Sequence, residues 1–551
     1  MSDRARGRII GSLLYIAAGL GGATACAQVL STDILPSEDE LYEALQLGDI
    51  DYDQYQTLYE LYLQGVESGD QYLLDEIPNL WHVLNLTRLS ETRLEADQSE
   101  PFVRPDSPVP GRAVRTRYRF VQRLDDSEGQ SQRLTIRADA NGRWRSDLKL
   151  RRDIDGSEHM LSRCVRYRTE TGTIREITLG NFVERYGLGS VIGYRGRLLK
   201  PSTGLDDVSI LFPNYGGFNG ISVRGQAGDI AISSMASIMR DSAHTLLSTG
   251  AMIRPAGWRL TPSLILGLNR LANRLTDKSI TDLKFGMLTS YRSKRGVVNL
   301  EISGQAGARN GLGAMVLEGG HAVDKCNISY AVWRYAARYL DLTGGSKAGN
   351  LRHEVELDAV DLRFSDKRAG QTGLLMRTLL RSNERTEFSG AIALAAFDRD
   401  TANGQFLAAV VRRLNRKLSL RADYLADARI REGVDHAGEV TDHRVRLEAR
   451  VQTKPLSVRS YIGLKLRQRQ AGVLSQFISV EWRSGSAGNW RLWSNMGRVM
   501  RGRLDYWYLF LENTQSLARK WEGRIKIMRS YSRYRTASEQ WSVAFELTAA
   551  L

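Results

Sequence analysis

With 551 residues, the chain is long enough for a large core or more than one domain, and 77 Lys+Arg against 62 Asp+Glu give it a net charge of +15. Mean hydropathy is −0.33, and no later stretch approaches about 18 consecutive apolar residues, which excludes transmembrane helices. The charge is divided: residues 28–101 hold 17 Asp/Glu against Arg88 and Arg93, a net of −15, which leaves +28 on residues 102–551 once the +2 of residues 1–27 is counted.

Arg4, Arg6 and Arg8 precede the apolar run Ile9–Leu20, and small residues then lead to Ala25-Cys26-Ala27. This is the layout of an export signal cleaved after Ala27, so residues 1–27 are expected to be a signal peptide. The rival use of Cys26 as an acylated residue is disfavoured, because Ala23-Thr24-Ala25 lacks the large aliphatic residue usual before such a cysteine. Residues 28–100 are expected to form an acidic helical periplasmic domain. Ser37 with Glu40 makes a capping box, and Leu41, Leu45, Tyr55, Leu58, Tyr59 and Tyr62 follow at helical spacing. Pro101, Pro105, Pro108 and Pro110 then mark a linker over 101–111.

From residue 112 to 551 the period falls from 3.6 to 2. Leu418, Leu420, Ala422, Tyr424 and Ala426 alternate with Ser419, Arg421, Asp423 and Asp427, and only Leu425 breaks the pattern. Val445, Leu447, Ala449 and Val451 alternate with Arg444, Arg446, Glu448 and Arg450. Such runs are strands with one apolar and one polar face. Asn141-Gly142, Asp155-Gly156 and Asn403-Gly404 are candidate hairpin turns between them. The fold class expected is an all-β transmembrane barrel of about 22–26 antiparallel strands, preceded by a small α-helical domain. Trp490, Trp493, Tyr506, Trp507, Tyr508, Trp521, Tyr531 and Tyr534 sit near strand ends, where aromatics form interfacial girdles.

Residues for chemistry are sparse. None of the seven histidines stands at metal-ligand spacing with a third ligand nearby, so no metal, cofactor or catalytic residue is expected. Ser242 and His244 are close enough to suggest an embedded hydrolase, but strand spacing makes such pairs common. Cys164 and Cys326 can form one disulfide or serve as small side chains. The alternation is interrupted at Gly180, Asn181, Phe182, Tyr186, Gly187, Gly189 and Gly193, a segment able either to fold into a lumen as a constriction or to make a tight bulged hairpin. Candidate lumen-lining residues are Arg115, Arg117, Arg119, Arg421, Arg444, Arg446, Arg450, Arg459, Arg467 and Arg469. They either select anions or pair with luminal carboxylates and anionic lipopolysaccharide.

Leu179-Gly180-Asn181-Phe182, then Tyr186-Gly187-Leu188-Gly189, then Asn214-Tyr215-Gly216-Gly217-Phe218-Asn219-Gly220 together resemble a family of bacterial outer-membrane barrels. Members carry an N-terminal region labelled helix-hairpin-helix and an early G-D-[YF]…F-G-x-G-L pattern; here Asn181 replaces the Asp and Tyr186 the Phe. The resemblance implies the architecture of module and barrel, and no mechanism. Nucleic acid is not the expected partner, because a net charge of −15 over residues 28–101 cannot neutralise phosphates. The expected location is the outer membrane, and the expected role is a channel or translocation path with a basic lumen for anionic or bulky solutes. The alternative is a structural or assembly protein that recruits a periplasmic protein through residues 28–100. Expected partners are outer-membrane lipid, lipopolysaccharide and the barrel-assembly machinery.

Overall fold

The computed structural model describes residues 115–550 apart from connecting stretches, of which 194–217 and 432–439 are the longest. The alternating segments become 26 strands, β1 (Arg115–Asp125) to β26 (Glu539–Ala550). Of these, 24 form a single antiparallel sheet in chain order, except that β13 (Cys326–Tyr335) pairs with β16 (Gln371–Asn383). β1 also pairs with β26, Arg117 opposite Ala550 and Asp125 opposite Ser542, so the ladder returns on itself. A sheet closed in this way is a barrel with no edge left to aggregate. The other two strands, β14 (His353–Leu357) and β15 (Leu362–Asp366), form a hairpin between β13 and β16.

An even number of alternating strands puts the start of β1 and the end of β26 at one rim, which we call the terminal rim. Its connections are short, for example residues 294–295, 324–325 and 414–417. The far rim carries the long ones, residues 183–217 and 336–370. The 24 strands of the ring run from 9 residues in β3 (Trp144–Arg152) to 15 in β10 (Ser279–Ser293). Several therefore exceed the roughly 5–6 residues usual in globular sheets.

The two faces differ along each strand as the alternation requires. In β9 (Leu260–Asn273), Leu264, Leu266 and Leu268 are exposed, Leu264 at 63%, while Ser263, Ile265 and Asn269 are buried. In β19 (Leu418–Arg431), Leu420 is 42% exposed and Arg421 is 5% exposed. In β20 (Val440–Gln452), Val445 and Leu447 are exposed while Arg444, Arg446 and Glu448 are buried. The apolar face is outside and the charged face inside, the reverse of a soluble barrel. Leu425 breaks the pattern because it faces inward; it packs with Leu407 and Ala391 in the adjoining registers of neighbouring strands.

One expectation is corrected, and one left open is resolved. Asn403-Gly404 is not a turn: both residues lie inside β18 (Thr401–Arg413), and Gly404 pairs with Leu394 on one side and Ala428 on the other. Ladder bonds on both flanks override the local turn preference. Cys164 and Cys326 are free thiols, on the non-adjacent strands β4 (Glu158–Arg168) and β13. Asn141-Gly142 and Asp155-Gly156 lie outside the described residues. The signal segment, the helical module and the linker lie outside the described residues, within which no helix is long and apolar enough to cross a membrane.

Candidate functional site

The segment flagged by its glycines leaves the barrel wall and enters the interior. It departs from the end of β5 (Ile174–Phe182), where Gly180 has φ +103° and an added Cβ would lie 2.4 Å from the Arg163 carbonyl oxygen. Only glycine fits there. Asn181 accepts a hydrogen bond from the Arg163 amide at 2.9 Å, and Phe182 stacks on Phe218 with centroids 5.7 Å apart. Beyond them, residues 184–193 form a compact inner turn. The Gly189 amide donates to the Tyr186 carbonyl at 3.0 Å, and the Tyr186 amide donates to the Ile192 carbonyl at 3.0 Å.

One wall carboxylate clasps this turn. Glu301, on β11 (Gly296–Ala306), accepts from the Ser190 amide at 2.9 Å and also from the Leu188 amide and the Ser190 hydroxyl. Gly187 has φ +62°, and a Cβ there would lie 2.2 Å from Glu301 Oε2, so the approach depends on glycine. Glu184 accepts from Arg224 and from Ser222, each at 2.8 Å. Burial pushes the Tyr186 phenol above its ordinary value, and the neighbouring Glu184 pushes it further in the same direction.

The turn is seated in a trench of small residues. Val191 and Ile192 are fully buried, facing Gly250 of β8 (His244–Pro255), Gly267 of β9 and Gly286 of β10. An added Cβ would lie 2.8 Å from Ile192 at Gly250, 2.9 Å from Val191 at Gly267 and 2.7 Å from Val191 at Gly286. Sequence reasoning missed these glycines. Their signal was available: glycine at an inward position inside a strand marks the close approach of another chain segment.

Residues 336–370 enter from the same rim and meet the first segment. The Gly193 amide donates to the Thr343 carbonyl at 2.8 Å, and the Tyr339 hydroxyl donates to the Ser190 carbonyl. Lys284, fully buried on β10, pairs with Asp341 at 3.2 Å and Asp282 at 3.5 Å and lies 4.7 Å above the Tyr339 ring. Arg368 reaches Asp341 at 3.2 Å from the other side. Gln305 donates to Asp282 at 2.9 Å and to the Leu340 carbonyl at 2.8 Å. At the tip of the β14–β15 hairpin, the Val360 carbonyl accepts from Asn273 at 3.1 Å and lies 3.2 Å from His244 Nε2. The His244 Nδ1 lies 3.3 Å from Asp241. Both ring nitrogens of His244 are therefore committed to local structure, and Ser242 lies outside the described residues.

On β19 to β21 (Leu456–Arg467), arginines line the interior. Arg421 and Arg446 both donate to Asp423 Oδ2 at 3.1 Å. Arg459 grips Glu448 through two nitrogens, at 2.9 and 3.2 Å. Arg446 lies over Tyr461, and Tyr461 stacks on Phe477 at 4.8 Å. Arg444 is buried and Arg450 half-buried on the same inward face of β20. Arg491 and Arg524 likewise share Glu512, at 3.7 and 3.1 Å. Arg421, Arg444, Arg446, Arg450 and Arg459 are thus brought together, while Gly180, Asn181, Phe182, Tyr186, Gly187, Gly189 and Gly193 belong to the inward segment on the other part of the ring. Arg115, Arg117 and Arg119 lie on β1, and Arg467 ends β21; Arg469 lies outside the described residues. Among the described residues no group of three or more His, Cys, Asp or Glu is placed to hold a metal.

No family model and no curated protein matches the chain. Among solved structures, the chain is similar to the translocation pore of the P pilus usher PapC (10% identity, TM-score 0.42, 80% of this chain and 99% of that one). It is also similar to an E. coli P pilus tip assembly intermediate containing PapC (9% identity, TM-score 0.49, 81% of this chain and 62% of that one). A third is the siderophore receptor PirA from Pseudomonas aeruginosa (8% identity, TM-score 0.43, 80% of this chain and 81% of that one). At these values the fold is read from this chain's own strand pairings, and the roles of those proteins stay with them.

Proposed function

We propose that the chain is an outer-membrane β-barrel that passes solutes, anionic ones in preference, through an interior narrowed by two inward segments. The observation that carries this reading is the inversion of faces: a closed ring of 24 strands with leucines outside and paired charges inside. In lipid, every backbone group must be bonded within the protein, and a closed barrel meets that demand. A ring this wide encloses either a channel or a filled lumen. Exposed Trp144, Trp482, Trp490 and Trp521 lie at strand ends on the terminal rim, where an aromatic girdle would meet lipid headgroups. The short turns of that rim support a periplasmic placement for it, with the inward segments descending from the cell exterior.

The anion preference is supported by the arginine-rich inward face along β19–β25, where Asp423 and Glu512 are each approached by two arginines. The test is the reversal potential of purified protein in a planar bilayer under a potassium chloride gradient. Anion selectivity is the expected result; cation selectivity, or no current from protein that migrates as a heat-modifiable barrel, would overturn it. A structural or assembly role is the second reading. It is favoured by the apolar seat of Val191 and Ile192, which an open passage does not require.

A further inference from the structure

The rim at which the chain enters the barrel is ringed with exposed cations. Arg143, Arg295, Lys325, Arg385, Arg416 and Lys417 each lie in a turn of the terminal rim, and each is exposed. Among the described turn residues of that rim, the acidic one is Asp229. The far rim shows no such bias: Arg274, Asp277, Lys278, Asp358 and Asp361 are all exposed there. The asymmetry is a property of the ends, since the chain as a whole is only moderately basic at +15 over 551 residues.

We propose that this basic rim is the docking surface for the chain's own acidic segment, residues 28–101. Three observations converge. The segment carries −15, opposite in sign to the rim. β1 begins at Arg115 on that same rim, so the preceding chain leaves the barrel beside these cations and not beside the mixed far rim. Residues 102–114 reach at most about 45 Å when extended, which keeps the acidic segment within the span of the mouth. Such a tether supplies an effective concentration in the ~millimolar range, so even weak attraction populates the docked state. This inference rests on strand direction and surface charge, and it stands whether or not the barrel conducts.

The test uses the full-length mature protein in nanodiscs of zwitterionic lipid, treated with a carbodiimide that couples amines to carboxylates in direct contact. Mass spectrometry of the digest should find Lys325 or Lys417 joined to Asp or Glu of residues 28–101 within one molecule. Because exposed charges are screened over about 3 Å at about 1 M salt, the yield should fall at least ~10-fold there compared with about 0.05 M. It should fall similarly in the double variant R385E/R416E, which keeps both lysines. If the rim cations serve anionic lipid instead, no intramolecular cross-link forms in zwitterionic discs, and the proposal fails. Cross-links between molecules only, or a yield indifferent to salt and charge reversal, would overturn it equally.

Discussion

Glu301 illustrates how one residue can hold a segment in place. Its carboxylate is the acceptor for two amides and a hydroxyl of the inner turn, and it is fully buried. Buried donors left without an acceptor are costly. Glu301→Gln keeps the volume and replaces one acceptor oxygen with an NH2 donor. It should loosen residues 184–193 by about 1–2 kcal/mol without unfolding the sheet. Amide hydrogen exchange at Leu188 and Ser190 reads this directly. About tenfold faster exchange at these two amides is expected, with strand amides unchanged; unchanged protection would show that the clasp does not hold the turn.

The trench on β8, β9 and β10 is where the wall and the inner turn depend on one another as elements. Gly267→Leu places a side chain where Val191 already stands 2.9 Å from an added Cβ. Overpacking of this kind costs roughly 1–3 kcal/mol, and the cheapest relief is expulsion of the inner turn, since the wall strands are bonded on both sides. The variant should still assemble, and protease added from the far rim should cut within residues 184–193 while the wild type resists. Equal resistance in both would place the strain in the wall instead.

This division also marks what was legible in the sequence. Faces on β19 and β20 followed from period-2 alternation, because a strand's pattern is local. The glycine interruption at 180–193 was visible, but not its destination, because its partners are remote: Ser190 finds Glu301 111 residues away. Arg421, Arg444 and Arg446 were legible as polar-face residues, whereas Asp423 and Glu448 as acceptors for arginines became evident only through the register, which no single strand contains. Asn403-Gly404 misled for the reverse reason, a strong local signal overruled by pairing on both sides.

For the whole molecule, the arrangement is a ring with unlike ends: a far rim that sends two segments inward, and a terminal rim that is basic and receives the acidic segment's tether. All of this presupposes that the strands cross a lipid phase with the apolar face outward. The most direct test is a nitroxide scan in reconstituted vesicles, one label at a time from Leu418 to Ala426 in a variant lacking the native cysteines. Oxygen, which concentrates in lipid, should broaden labels at Leu418, Leu420, Ala422, Tyr424 and Ala426, and should spare Ser419, Arg421, Asp423 and Leu425. The opposite phase, or no alternation across these positions, would contradict a membrane-spanning barrel with this register.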